Sequence, residues 1–132
     1  MRAVLDMWEA QGTEAVIAGV DRAGDSPEAR LRDLMVRAFT TSLSFDNFES
    51  QLRAWAQKDD EAAEVVARVD DKRRRYVAAL LTEAGIERKR ARHRAELLYR
   101  LLVGDFTMRA YGDKALPKAA LEELLDLLVA RR

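Results

Sequence analysis

The sequence predicts an all-α fold of six helices. Apolar residues recur at three- and four-residue spacing along most of the chain, the pattern of amphipathic helices. The two prolines and six glycines fall mostly near the ends of those periodic segments. Nowhere do apolar and polar residues alternate as they would in a half-buried strand, and there is no internal repeat, low-complexity tract or flexible linker. A length of 132 residues suits one domain, residues 1–132, with enough chain to bury most of its apolar surface in a single core.

The first helix is expected from about Arg2 to Arg22, with Val4, Leu5, Trp8, Gly12, Ala15, Val16 and Gly19 on one face. Each glycine there costs up to ~1 kcal/mol relative to alanine. Either a close backbone crossing or a helix break at Gly12 accounts for them. Ser26-Pro27-Glu28 opens the second helix: a capping hydroxyl, a proline in the first turn and an acid at the positive end of the dipole. Leu31, Leu34, Met35, Ala38 and Ser42 form its inner stripe, which fades near Leu43. Asp46 to Glu49 has the spacing of a capping box and would open a short third helix carrying Phe48, Leu52, Trp55 and Ala56. Asp59 or Asp60 caps the fourth helix, which ends at Gly85, a residue suited to a left-handed cap. The fifth runs from about Glu87 to Tyr111 and is followed by Gly112; Pro117 opens the sixth.

Two of these helices carry more apolar surface than one packing face needs. In the sixth, Leu116, Ala120, Leu121, Leu124, Leu125, Leu127, Leu128 and Val129 cover well over half of the circumference. In the fifth, Ala91, Ala95, Leu98, Leu102 and Phe106 form one face, while Leu97, Leu101, Gly104 and Met108 form another, roughly opposite. A second copy of the chain is the simplest cover for the excess.

Polar residues on apolar faces are the candidates for chemistry. Arg73 sits mid-stripe on the fourth helix, among Val66, Val69, Val77 and Leu80. Burial there demands a carboxylate, and Asp70, one turn back, and Asp105, between the two faces of the fifth helix, are the candidates. The pair could be a register-fixing core ion pair or could read a polar group on a ligand. The run from Glu87 to Arg94 spreads its cations around the whole helix, which suits a solvated helix end better than a groove-binding surface. His93 is the only histidine and has no ligand cluster around it. There is no phosphate loop, HExxH or paired-carboxylate pattern, so neither an enzyme nor a cofactor or metal site is expected.

Composition narrows the classes further. Lys plus Arg and Asp plus Glu both number 23, a balance that does not call for nucleic acid as a partner. The absence of cysteine rules out disulfides and thiolate chemistry and fits a cytoplasmic protein. No apolar run nears the ~20 residues of a membrane span, and the opening segment has no signal-peptide core.

The order of these segments resembles the C-terminal ligand-binding and dimerisation domain of TetR-family transcriptional regulators. The resemblance rests on Trp55-Ala56, Val69-Asp70 followed by Arg73, Gly85, the Ala91/Ala95 spacing and Gly104. It implies an apolar effector pocket among the first, second, fourth and fifth helices, with Phe39, Phe48, Trp55, Tyr76 and Phe106 as candidate lining. It also implies a homodimer in which the last two helices of each subunit form a four-helix bundle. Leu97, Leu101, Gly104, Met108, Leu121, Leu124, Leu125 and Leu128 are the candidate interface residues. The chain departs from the family in having no tri-helical unit with a recognition helix ahead of Met1. DNA would then be met only through a helix-turn-helix domain not in this chain. The expected role is the effector-sensing and dimerisation part of a repressor that binds a small apolar ligand. The alternative is a stand-alone helical homodimer that binds a small molecule or another regulator subunit.

Overall fold

The apolar periodicity becomes helix over most of the described residues. The computed structural model describes residues 2–40 and 43–131, with the side chains of residues 23 and 43–46 left out of that description. Ser42 and the side chains of Phe45 and Asp46 therefore lie outside the described residues. Among those described there is no strand, and no helix is long and apolar enough to cross a membrane.

The expected first helix is one continuous rod in three parts: α1 (Arg2–Glu9), a π-helical turn (Ala10–Glu14) and α2 (Ala15–Ala23). Gly12 neither breaks the rod nor leaves it regular. Glu9 and Ala15 keep right-handed helical angles, with φ of −61° and −66°, and the Ala15 amide reaches back to the Ala10 carbonyl. That five-residue reach accommodates one extra residue in the turn and loosens the carbonyls beside it.

α3 (Pro27–Phe39) begins as its residues dictate: the Ser26 hydroxyl accepts from the Ala29 amide at 3.1 Å. Leu31, Met35 and Phe39, spaced by four, are its buried stripe. It stops at Phe39, short of the expected Leu43, and α4 (Leu43–Ala56) starts three residues before Asp46. The expected capping box is therefore corrected. Asp46 lies inside the helix, and Glu49 is fully buried in its second turn. α5 (Asp60–Glu83) is capped by the Asp59 carboxylate, which accepts from the Ala62 amide at 2.8 Å, and is closed by Gly85 at φ +100°. α6 (Arg88–Ala110) is capped by Glu87, whose carboxylate accepts from the Arg90 amide at 2.9 Å. That acid offsets the basic run behind it at the positive end of the helix dipole, and Arg88, Lys89, Arg90, Arg92 and His93 all face solvent. Gly112, at φ +97°, turns the chain toward α7 (Lys118–Val129).

α5 is the central rod, packed against α3, α4 and α6. The larger core cluster joins Leu31, Met35 and Phe39 of α3 to Val77, Leu80 and Leu81 of α5 and Ala91, Ala95 and Leu98 of α6. The smaller one packs Leu5 and Trp8 of α1 on Leu52 of α4 and Val65, Val66 and Val69 of α5.

α7 corrects part of the expected interface. Leu121, Leu125 and Leu128 are buried in the chain's own larger core, and Leu124 is partly buried against it. The i, i+4, i+7 stripe of α7 is spent on its own subunit, and of its large apolar residues Leu127 is left outside, 71% exposed. α6 keeps its second face free: Leu97 is 68%, Leu101 46% and Met108 56% exposed, and open space surrounds Gly104.

Candidate functional site: an apolar cavity over a closed ionic cluster

A cavity of about 320 Å³ lies among the π turn, α2, α3, α5 and α6, within the range usual for small-ligand sites. Val16 and Ile17 line it from α2, Leu34, Met35, Ala38 and Phe39 from α3, Tyr76 and Val77 from α5, and Leu98, Leu102 and Phe106 from α6. The wall is almost wholly apolar because each of these helices turns its hydrophobic stripe inward. Phe39, Tyr76 and Phe106 stand where expected. Phe48 and Trp55 do not: they pack on the smaller core cluster, because the α4 stripe they share faces α1 and the N-terminal half of α5. The Tyr76 hydroxyl is not free in the cavity. It donates to Asp21 at 2.6 Å, and burial together with that carboxylate pushes its pKa up.

Gln11, Gly12 and Thr13 of the π turn, with Arg73 and Tyr99, also line the cavity. Arg73 is largely buried, as its phase on α5 predicts, but neither expected acid holds it. Its partner is Glu49: Nη1 to Oε2 is 3.0 Å and Nη2 to Oε1 is 3.3 Å. Arg73 Nε donates to the Thr13 hydroxyl at 3.1 Å, Nη1 also to the Tyr99 hydroxyl at 3.2 Å, and Nη2 also to the Gly12 carbonyl at 3.3 Å. A guanidinium has five N–H groups, and these contacts occupy all of them. Its plane also lies over Trp8, 5.2 Å from the ring centroid.

The two expected acids are engaged elsewhere. Asp105 pairs with Arg109 one turn on, at 2.8 Å. Asp70 takes Arg53 at 2.8 Å and accepts a hydrogen bond from the Tyr99 hydroxyl. Arg53 also binds Glu49 at 2.8 Å and donates to Tyr99 at 2.9 Å. The indole of Trp8 donates to the second Glu49 oxygen at 2.9 Å. Two guanidiniums, two carboxylates, a phenol and an indole thus form one cluster tying α1, α4, α5 and α6 together. Sequence reasoning missed Glu49, Arg53 and Tyr99. The available signal was Glu49 lying three residues before the buried Leu52, on the edge of the inner face of α4, with Arg53 one turn further on.

The electrostatics follow from the packing. Burial would raise the Glu49 carboxyl, but Arg73 and Arg53 outweigh it and hold it below its usual range. Burial pushes the Tyr99 phenol up to about 12, against the pull of both arginines, so it stays protonated at neutral pH. A second anchor lies beside the cluster. Glu9, at the mouth of the π turn, accepts from Arg68 at 2.7 Å and Lys72 at 3.3 Å, and the Arg68 hydrogen bond lowers its pKa.

No family model matches the sequence, and no curated protein or solved structure does.

Proposed function

We propose that the chain is the effector-sensing and dimerisation domain of a TetR-like transcriptional regulator and binds a small apolar ligand. The observation that carries this reading is the cavity of about 320 Å³, walled by apolar side chains from α2, α3, α5 and α6. It lies among the same helices in which the resembled family keeps its effector pocket. Further support comes from the exposed row of Leu97, Leu101 and Met108 on α6, which suits a second copy of the chain. Effector binding would bias the domain between states by its preference for one of them. A thermal-shift screen with a broad panel of small apolar molecules tests the reading. Stabilisation by members that fit the cavity is expected, and it should vanish when Leu102→Trp fills the space. Absence of any shift across the panel would overturn the sensing role.

A further inference from the structure

Of the polar groups bordering the cavity, those of the ionic cluster have no capacity left for a ligand's charge. The five Arg73 N–H groups are spent on Glu49, Tyr99, Thr13 and Gly12. The Tyr99 hydroxyl donates to Asp70 and accepts from both arginines. Within the cluster the charges of Arg53 and Arg73 are matched by those of Glu49 and Asp70. An anionic ligand set against this end would bring an unmatched negative charge onto an almost wholly apolar wall, beside a cluster whose own charges are already balanced. To reach Arg73 it would have to displace Glu49 and strand that carboxylate. The other cation on the cavity wall, Arg37, is already paired with Asp33 at 2.6 Å, and its side chain is 43% exposed, so water competes for it.

From this closed, charge-balanced end and the apolar wall we infer that the cavity takes uncharged apolar molecules and discriminates against molecules of the same size that carry a carboxylate. The inference rests on the reading of the cavity as an effector site and narrows the class of effector. Arg73 is then a positioning residue that holds the π turn over the cavity, not a reader of anions.

Decanol and decanoate make the probe pair, since the second is ionised at neutral pH. Each is titrated calorimetrically into the intact chain below its micellar concentration. Decanol is expected to bind at least about 30-fold tighter, given the cost of an unmatched buried charge. Leu102→Trp should abolish the heat of decanol binding, and undiminished binding there would put the ligand outside the cavity and overturn the inference. Equal or tighter binding of decanoate overturns the discrimination while leaving the effector site standing. No binding of either molecule to the unmodified chain overturns the effector-site reading, and the inference with it. Glu49→Gln removes one negative charge from the cluster and should raise decanoate affinity by about tenfold or more, as a freed guanidinium gains a charged partner. Where that variant does not fold, Asp70→Asn takes the charge from the same cluster at a partly exposed position. A folded variant of either kind that leaves the gap between the two probes unchanged overturns the electrostatic explanation.

Discussion

Glu49 is the residue on which most of the molecule's polar burial converges. Its carboxylate receives Trp8, Arg53 and Arg73 from three different helices, and no part of it touches water. Removing one member of such a cluster leaves its partner charged and unpaired, which typically costs 3–5 kcal/mol, roughly. Arg73→Ala and Glu49→Ala should each lose about that much in denaturant unfolding, while the surface pair Arg75–Asp71 should be worth under about 1 kcal/mol. Equal, small effects at both places would mean that the cluster is not closed in solution. The same residue sets an acid dependence. The Glu49 pKa lies below its ordinary value near 4.5 in the folded chain, so the unfolded chain binds more protons on that group as the pH falls. Its contribution is therefore complete above about pH 4.5 and is lost as the pH drops through the lower, folded value; Glu9 adds a change of the same sign. Thermal melts between neutral pH and pH 3 should fall more steeply below pH 4.5 for the unmodified chain than for Glu49→Gln, and parallel curves would remove Glu49 as the cause.

Among the elements, the π turn at Ala10–Glu14 is the one with mechanical consequence. It lines the cavity with Gln11, Gly12 and Thr13, and it is clamped from below by Arg73 through the Gly12 carbonyl and the Thr13 hydroxyl. Deleting Gln11 would let the rod run as plain α-helix. The turn already absorbs that extra residue, so its loss should leave α1 in register, with Trp8 still on Glu49 and Glu9 still on Arg68, while the Gly12 carbonyl returns to the helix ladder and Arg73 loses an acceptor. A lower melting temperature with unchanged tryptophan emission is expected. A red-shifted emission would mean that the turn does not absorb the residue, and an unchanged melting temperature would mean that the Arg73 clamp contributes nothing. The elements also divide by how far they could be read from residues alone. Ser26-Pro27, Asp59, Gly85 and Gly112 mark their helix ends correctly because capping is local chemistry that needs no distant partner. The π turn was not legible, since it uses the same residue types as an α turn and is set by tertiary anchoring on both sides. Glu49 was misread because its spacing from Asp46 mimics a capping box, while its real partner Arg73 lies 24 residues away on another helix. Arg73 itself was legible as buried by phase alone, but its acid was not, because the rotation of α4 about its own axis is decided by packing. Of the five residues expected to line the cavity, Phe39, Tyr76 and Phe106 sit on stripes whose facing is unambiguous, whereas Phe48 and Trp55 depend on that rotation.

At the scale of the molecule, the unresolved demand is the outer face of α6. Leu97, Leu101, Gly104 and Met108 fall at i, i+4, i+7 and i+11, a single stripe along the helix, and Leu127 of α7 is exposed as well. The expected interface shrinks accordingly, for Leu121, Leu125 and Leu128 already serve the chain's own core, and charge placed there would test folding and not assembly. The α6 stripe gives a cleaner test. Leu97→Asp and Leu101→Asp should yield a folded monomer if two copies pair through this face, since neither residue supports the internal core. Gly104 separates the two outcomes further. No atom would lie within 4 Å of an added Cβ in the lone chain, so Gly104→Ala should stabilise an isolated helix by about 1 kcal/mol through propensity alone. In a dimer whose helices cross closely at that glycine, the added methyl would force them apart and weaken assembly instead. Light scattering at micromolar concentration should therefore show a dimer for the unmodified chain, a monomer for the aspartate variants and weaker association for Gly104→Ala. A monomer mass for the unmodified chain, with a stabilised Gly104→Ala, would leave the α6 stripe without a second copy to cover it.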